Sequence, residues 1–348
     1  MPTPRVTVLL PVYNARAFVA EAVRSVLDQT FGDFELVAID DGSTDGSAEV
    51  LSTIADPRLR ILRQENRGLI ATLNRGIAEA TGELIARMDA DDISLPDRFA
   101  KQVAYLDAHP KVVAVGGAAQ FFTDAGPQDF VLRHPNDPAA IRQALAKDSA
   151  IVHPTAMIRR DALTGIGGYR RAFVDAEDYD LWLRLAEKHD LANLDDVVLH
   201  YRVHAGQVSV RKACQQALSK LGCQAAARLR RERGSDPADS VDRITYQVLR
   251  NWGVDTATIE QTLFAVVDGQ FEFHLRAGDT AKAESVVADV TGIVSTPSRW
   301  GRSRLAWYAA KLAIAGGRRS RGMAGLAKAC LLDPALLLRL FRAAGRRA

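Results

Sequence analysis

The chain has 348 residues, of which 47% are hydrophobic and 25% charged, and its formal net charge is +3. This length exceeds that of one typical domain, and the composition is that of a globular protein, which excludes a largely disordered chain. No apolar run approaches the roughly 20 residues of a membrane-spanning helix, no secretory signal is visible, and the three cysteines have neither metal-ligand nor disulfide spacing. An integral membrane protein, a zinc module and a disulfide scaffold are therefore not expected. The unpaired cysteines predict a cytoplasmic location.

The first part of the chain alternates strand patterns with helix patterns. Short apolar, β-branched runs predict strands, and apolar residues at helical spacing predict the helices between them. This alternation implies right-handed crossovers and an α/β fold with a mostly parallel sheet flanked by helices, in which ligands bind at the carboxyl ends of the strands. The predicted strands are Val6–Val12, Phe34–Ile39, Arg58–Leu62 and Leu84–Met88, and the predicted helices are Ala17–Gln29, a helix through Leu51 capped by Ser43 or Thr44, and Ala71–Ala80.

After Asp89 the alternation loosens, and from about Ala213 the pattern is that of helices alone. We therefore predict a catalytic domain over residues 1–212 and a helical C-terminal domain with a basic tail over residues 213–348. The predicted elements are strands Val112–Val115, Ile151–Ile158 and Val197–Val203, helices Arg98–His109, His134–Asp148 and Tyr179–His189, and then a series of helices from Ala213–Arg233 to Pro334–Ala344.

Polar clusters follow the predicted strands at the positions where ligands bind in such sheets. The clusters are Pro11-Val12-Tyr13-Asn14, Asp40-Asp41-Gly42-Ser43-Thr44-Asp45-Gly46-Ser47, Asn66-Arg67-Gly68, Met88-Asp89-Ala90-Asp91-Asp92 and, at the start of a later helix, Glu177-Asp178. Taken in this order, they resemble those of the family 2 glycosyltransferases, which have the GT-A fold, and the resemblance runs from Val6 to about Ser209.

Two carboxylates at positions i and i+2 just past a strand end, Asp89 and Asp91, are the oxygen ligands that Mg²⁺ or Mn²⁺ prefers. Such a cation stabilises the negative charge of a departing diphosphate. The resemblance implies that Asp91 binds the metal directly, that Asp89 lies nearer the ribose and reaches the metal through water, and that Ala90 lines the nucleotide. It also implies that His204 completes the metal shell. A solvated acidic turn and a simple loop histidine are the alternatives.

Recognition of the nucleotide base is expected at the first three clusters. An aspartate accepts a hydrogen bond from uracil N3–H, and a tyrosine covers the ring. The resemblance implies these roles for Asp41 and for Tyr13 within the turn formed by Pro11, Val12, Tyr13 and Asn14. Asp40 is expected to orient the second turn, and Asn66 and Arg67 to approach the nucleotide. The alternative is that Asp40 and Ser43 only cap the following helix.

Glu177-Asp178 is the expected catalytic pair, because inversion by direct displacement needs one carboxylate that deprotonates the attacking hydroxyl. The resemblance implies that Asp178 is this base and that Glu177 contacts the acceptor or the base. The alternative is a pair of acids that stabilises the helix N-terminus. His153, Trp182 and Arg202 are candidates for the donor and acceptor pocket, with a strand-end histidine and core packing of the tryptophan as alternatives.

The resemblance implies an inverting, metal-dependent glycosyltransferase that moves a sugar from a nucleotide-diphosphate sugar to a hydroxyl of a glycan, polysaccharide or lipid-linked acceptor. UDP is the leading nucleotide, with dTDP and GDP open. One alternative is a haloacid-dehalogenase-like sugar-phosphate phosphatase, since Asp40-Asp41-Gly42-Ser43-Thr44 approaches its nucleophile motif with the spacing wrong by one. The other is a non-catalytic carbohydrate-binding or scaffolding protein.

The C-terminal end of the chain is strongly basic. From Arg299 onward there are twelve Lys and Arg residues against one acid, Asp333, so the preceding residues carry a net charge of −8. Trp300, Trp307 and Tyr308 interleave with these basic residues, which predicts peripheral binding to an anionic membrane, on the inner face of the cell membrane. A solvated helix face, or a helical-domain core with a basic rim, is the alternative. Nucleic acid is not an expected partner because no binding motif accompanies the charge.

Overall fold

The structure is a computed structural model that describes residues 3–123, 126–203, 210–294 and 296–336. The chain forms two compact units. The first consists of Met1–Arg171 and Ala176–Gln207, and the second of Ala172–Asp175 and Val208–Ala348. The α/β and helical parts of the chain thus fall into separate units.

The described strands of the first unit form one sheet. They are β1 (Val6–Val12), β2 (Phe34–Asp41), β3 (Leu59–Gln64), β4 (Leu84–Arg87), β5 (Ile93–Ser94), β6 (Val112–Thr123), β7 (Gly126–Leu132), β8 (Met157–Arg159) and β9 (Asp190–Arg202). Their order is β3-β2-β1-β4-β8-β6-β9-β5, with β7 paired to β6. The sheet is parallel from β3 to β4, as the sequence predicts, whereas β8 runs antiparallel to β4 and to β6. The sheet as a whole is therefore mixed.

Helices flank the sheet because one face of each is apolar. In α1 the residues Val19, Ala22, Val23 and Val26 recur at helical spacing and are all buried. The predicted cap of α2 by Ser43 or Thr44 is wrong, because Gly46 precedes the helix and supplies no side-chain cap. The helices of this unit are α1 (Val19–Leu27), α2 (Ser47–Ser52), α3 (Leu69–Glu79), α4 (Arg98–Ala108), α5 (Pro138–Leu145), α6 (Arg160–Gly165) and α7 (Glu177–Ala186).

Several strands differ from the sequence prediction: β5 is not predicted, and β6 and β9 are longer than predicted. The two clearest differences are β8 and β7. The predicted strand Ile151–Ile158 begins only at Met157, because His153–Thr155 forms a 3-10 turn around Pro154, which has no N–H to donate to a neighbouring strand. The strand β7 was not predicted at all. It contains Pro127 and pairs only with β6, so it has the composition of an edge strand.

The second unit is helical and packs around α10, whose Ile259, Leu263, Val267 and Phe271 are buried at four-residue spacing. Among the described helices, none combines the length and apolar content needed to cross a bilayer. The predicted helix Pro334–Ala344 lies largely outside the described residues. The helices are α8 (Val210–Arg233), α9 (Tyr246–Asn251), α10 (Thr256–Arg276), α11 (Thr280–Ile293), α12 (Arg299–Ala315) and α13 (Arg319–Leu332).

A buried ionic network fixes the loop before α7 to α7 itself. Asp180 has no exposed surface and pairs with both Arg170 and Arg184. The guanidinium of Arg184 also donates to the carbonyl oxygens of Ile166 (2.8 Å) and Gly168 (2.7 Å). The loop therefore cannot move relative to the start of α7 without breaking these contacts.

Substitution Asp180→Asn is expected to lower the free energy of unfolding by about 3–5 kcal/mol, because it leaves a buried arginine without its counter-charge. The matched control is Asp190→Asn, which removes an exposed partner of Arg142 and should cost less than about 1 kcal/mol. Urea unfolding followed by tryptophan fluorescence measures both values. Equal losses in the two variants would contradict the structural role of Asp180.

Candidate active site

The turns that carry the polar clusters lie at one edge of the sheet. β1, β2, β3 and β4 are parallel, so their carboxyl ends meet there. Val12 is in register with Asp40, and the N–H of Met88 donates to the carbonyl oxygen of Leu9 at 3.0 Å. The acidic turn after β4 is therefore adjacent to the turn after β1.

The turns after β1 and β2 hold each other in place. The N–H of Asn14 donates to Ser43 Oγ (3.0 Å), and the N–H of Thr44 donates to Asn14 Oδ1 (2.9 Å). Asp40 Oδ1 accepts from the N–H of Ser43 at 3.1 Å. Asn14 adopts a left-handed backbone with φ of 50°, a conformation that asparagine tolerates better than most residues. These two hydrogen bonds between the turns fix the backbone beside Tyr13, which is 54% exposed.

Asp41 fixes the turn that follows β3. Its buried carboxylate accepts hydrogen bonds from Gln64 Nε2 (2.7 Å) and from the N–H groups of Arg67 (2.8 Å) and Gly68 (2.9 Å). A carboxylate offers about four acceptor sites, and three of them are used by hydrogen bonds from the described residues. The side chains of Asn66 and Arg67 are exposed beside it.

The acidic turn after β4 gathers three carboxylates. Oxygen atoms of Asp89, Asp91 and Asp92 lie within 4.8 Å of one another. Asp92 is buried; its Oδ1 accepts from the N–H of Arg202 at 2.9 Å, and its Oδ2 has no hydrogen-bond partner among the described residues. Burial, together with the charges of Asp89 and Asp91, raises the pKa of Asp92 well above its usual range. This all-oxygen set with an unpartnered buried oxygen fits a hard divalent cation such as Mg²⁺ or Mn²⁺.

Two buried arginines lie behind the acidic turn. Arg87 is the last residue of β4 and pairs with Asp89. Burial acts to lower the pKa of Arg87, but the charge and hydrogen bond of Asp89, together with the charges of Tyr169 and Asp92, outweigh burial and raise the pKa. Arg98, from α4, donates to the carbonyl oxygen of Arg87 at 2.8 Å. Burial, aided by Arg87, lowers the pKa of Arg98 to about 9. The acidic turn after β4 therefore has two positively charged side chains next to it in the protein interior.

Arg202 supports the acidic turn from β9. Its Nε donates to the carbonyl oxygen of Asp91 at 2.8 Å, its terminal nitrogen pairs with Glu21, and its guanidinium stacks over Phe18 and Phe122. The side chain is only 7% exposed. Arg202 therefore stabilises the acidic turn from the protein interior. The sequence-based prediction places it instead in the donor and acceptor pocket.

Below this edge, His153 and Trp182 are part of the core. His153 Nε2 forms a hydrogen bond of 2.8 Å with the hydroxyl of Tyr169, and burial, with the charge of Arg87, lowers the pKa of His153 well below its usual range. Trp182 has no exposed surface and lies edge-on to the imidazole ring, with centroids 6.1 Å apart. Trp182 therefore has no face free for stacking on a sugar, in keeping with the core-packing alternative.

Tyr169 connects the acidic turn with the start of α7. Burial raises the pKa of its hydroxyl; the positive charge of Arg87 acts against this shift, and the negative charges of Glu177 and Asp178 add to it. The Tyr169 hydroxyl thus lies close enough to interact electrostatically with Arg87 and with the acids Glu177 and Asp178. Glu177 is buried and Asp178 half-buried at the first turn of α7. Tyr169 therefore provides an electrostatic link between Arg87, which pairs with Asp89, and the two acids at the start of α7.

Three residues of this site have no role in the sequence-based prediction: Asp92, Arg87 and Tyr169. Asp92 is visible in the sequence as the third acid of the Asp89–Asp92 cluster, whereas Arg87 and Tyr169 have no such signal. His204, the expected further metal ligand, lies outside the described residues. Of the other expected nucleotide contacts, Pro11 and Val12 are the last residues of β1, and Ala90 lies in the acidic turn. Pro11 is half-buried, and Val12 and Ala90 are buried.

Comparisons with known proteins agree with one another. A family model described as "Glycosyl transferase family 2" matches residues 7–167. A Bacillus subtilis protein named as the glycosyltransferase EpsE is 35% identical over 192 residues, which are 53% of this chain and 68% of the relative. The UDP-Glc:alpha-D-GlcNAc-diphosphoundecaprenol beta-1,3-glucosyltransferase WfaP of Escherichia coli is 28% identical over 60% of this chain and 80% of its own.

A solved structure shows the same fold. The mannosyltransferase PcManGT from Pyrobaculum calidifontis, in complex with GDP-Man and Mn²⁺, superposes with a TM-score of 0.51 at 21% sequence identity, covering 94% of this chain and 86% of its own. The protein therefore has the GT-A fold that the sequence predicts, with a helical C-terminal region.

Gly42 allows the turn after β2 to pack closely against the turn after β3. It has φ of 75°, and a Cβ placed on it would lie 2.7 Å from the backbone nitrogen of Asn66. Gly42→Ala is therefore expected to lower the free energy of unfolding by about 1–3 kcal/mol. Gly32→Ala is the control, because nothing lies within 4 Å of its added carbon, and it should change stability by less than about 0.5 kcal/mol. Equal values from urea unfolding would contradict this reading.

Proposed function

Because the chain belongs to glycosyl transferase family 2, we propose that it transfers a sugar from UDP to a hydroxyl of a glycan or lipid-linked acceptor, with inversion at the anomeric carbon. The proposal is supported by the Asp89–Asp92 carboxylate cluster, which follows a strand parallel to the one that ends before the exposed Tyr13. It is also supported by Tyr169, whose pKa is influenced both by Arg87 before that cluster and by Glu177 and Asp178 at the start of α7. The name of WfaP, which contains a UDP-linked donor and a diphosphoundecaprenol-linked acceptor, supports this choice of donor and acceptor.

The nucleotide is proposed to lie across the turns after β1, β2 and β3. The exposed ring of Tyr13 offers a face for the base, since aromatic rings stack in an offset arrangement. Asp41 is proposed to accept a hydrogen bond from uracil N3–H, while its other hydrogen bonds hold the turn in place. Asn66 and Arg67 are exposed beside it and can reach the ribose or phosphates.

The residues proposed to hold a divalent cation are Asp89, Asp91 and Asp92. When bound, such a cation stabilises the charge of the departing diphosphate as a Lewis acid. The buried pairing of Arg87 with Asp89 fixes the carboxylate of Asp89 and offsets part of the repulsion among the three acids. Ala90, a small buried residue between two of them, allows the turn to pack tightly against the sheet.

Asp178 is proposed to remove the proton from the acceptor hydroxyl. It lies in the first turn of α7, where the helix dipole favours the ionised carboxylate that a base requires. The network of Asp180 and Arg184 keeps this turn in position. Glu177 is proposed to orient the acceptor or the base. Direct attack on the anomeric carbon opposite the departing UDP gives inversion.

A lipid-linked acceptor requires the enzyme to work at a membrane. We propose that the basic C-terminal region provides peripheral attachment to the inner face of the cell membrane. This proposal is supported by the excess of Lys and Arg after Arg299.

Asp178→Asn is expected to lower kcat by about 10²- to 10⁴-fold while the KM for the UDP-sugar stays within a few-fold, because the variant keeps the shape of the side chain and loses the base. Glu187→Gln, at the opposite end of the same helix, is the control and should retain activity. UDP release and transfer to a GlcNAc-diphosphate-lipid acceptor are the measurements. Phosphate release from sugar phosphates without any transfer would support a phosphatase instead.

Asp91→Asn is expected to weaken Mn²⁺ binding at least about tenfold, because it removes a charged oxygen ligand. Asp161→Asn, in an exposed position of α6, serves as the control. Calorimetric titration of Mn²⁺ into the protein with UDP measures both affinities. The metal assignment fails if the two variants bind Mn²⁺ equally well.

A further inference from the structure

The basic and aromatic residues of α12 contribute to the interior of the helical unit. Tyr308 is buried, its ring lies 4.5 Å from that of Phe271, and its hydroxyl donates to Asp268. Arg304 pairs with the same aspartate, and Lys311 pairs with Glu272. These charges are neutralised within the unit. Tyr308 is therefore not available for the predicted membrane contact, and the charges of Arg304 and Lys311 are paired with acids of α10.

One face of α13 packs closely on α12 through small residues. A Cβ on Gly322 would lie 2.4 Å from Ile314 Cγ1, and a Cβ on Gly325 would lie 3.0 Å from Ala310 Cβ. One turn later, Ser303 Oγ donates to the carbonyl oxygen of Ala329 at 2.8 Å. Gly322, Gly325 and Ala329 are spaced by three and four residues, so they share one face. That face is the inner face of α13.

The opposite face of α13 is apolar and exposed. Met323 is 62% exposed and Leu331 is 75% exposed, and Ala324 and Ala327 between them are exposed as well. A single exposed leucine is ordinary, but a row of apolar residues along one helix face is typical of an interaction surface. We call these four residues, with Ser320, the outer face of α13.

Basic residues border the outer face on both sides. Arg321 and Lys328, seven residues apart, lie along one border, and Arg319 lies on the other, with Arg318 just before the helix. All four are exposed, and no acidic side chain of the described residues forms an ion pair with them. After Arg299 the sequence contains one acid, Asp333. The surface is therefore apolar at its centre and positive at its edges.

We propose that the outer face of α13 binds the surface of an anionic lipid bilayer. Met323 and Leu331 would enter the boundary between headgroups and acyl chains, and Arg319, Arg321 and Lys328 would bind lipid phosphates. A nucleic acid would pair with the basic borders but leave the apolar centre in water, so it fits less well. The proposal rests on the membrane attachment proposed above and names the surface responsible.

The experiment measures binding of the full chain to vesicles of phosphatidylcholine, with and without about one-third phosphatidylglycerol. The double substitution Arg321→Glu and Lys328→Glu is expected to weaken binding to the anionic vesicles at least about tenfold. Arg231→Glu with Arg250→Glu, an equal change of charge on α8 and α9, is the control and should change binding less than about threefold. Met323→Ser with Leu331→Ser should also weaken binding, because it removes the apolar centre.

Several results would overturn the proposal. These are equal binding to neutral and anionic vesicles, equal losses in the α13 pair and the control pair, or loss of binding only on deletion of residues 337–348. Sedimentation showing a dimer that the α13 substitutions dissociate would assign the face to a second copy of the chain. UDP release by the α13 variants on a soluble acceptor, without vesicles, separates the two proposals, since lipid binding can fail while transfer persists.

Discussion

The site depends on the balance between three crowded carboxylates and the buried arginines behind them. Asp89, Asp91 and Asp92 repel one another within 4.8 Å. Arg87 and Arg98 supply positive charge from the protein side. Because these arginines come from β4 and α4, the acidic turn is held by the sheet and by the helix that follows it. A bound cation would neutralise the negative charge of the three carboxylates that the arginines leave uncompensated on the solvent side.

The same constraint explains how distant parts of the chain form one site. Arg87 pairs with Asp89, and its charge also acts on His153 and Tyr169, which are hydrogen-bonded to each other. The pKa of Tyr169 is in turn influenced by Asp178. A buried arginine needs such neighbours, since a lone guanidinium in the core is costly. The residues that stabilise the acidic turn therefore also connect it to α7.

The sequence predicts the first four strands, and three of them, β1, β2 and β4, are buried and read as nearly continuous apolar runs with turns between them. It does not predict β7, which has an edge-strand composition, or the delayed start of β8 after Pro154. Within the site, the motif residues are visible because they are clustered polar residues after strands. Arg87 and Tyr169 are not visible, since their roles arise only from contacts between elements far apart in the chain.

Charge counted along a sequence overestimates the charge available to a partner, and the helical unit shows why. Arg304 and Lys311 are neutralised by acids of α10, which the sequence places more than thirty residues away. The residues that stay at the surface depend on how the helices pack. Glycines on one face of α13 pack against α12, and Met323 and Leu331, on the opposite face, are therefore exposed. A helix that is apolar on both faces has no amphipathic pattern in its sequence, so only the packed structure can reveal the surface that is left without a partner.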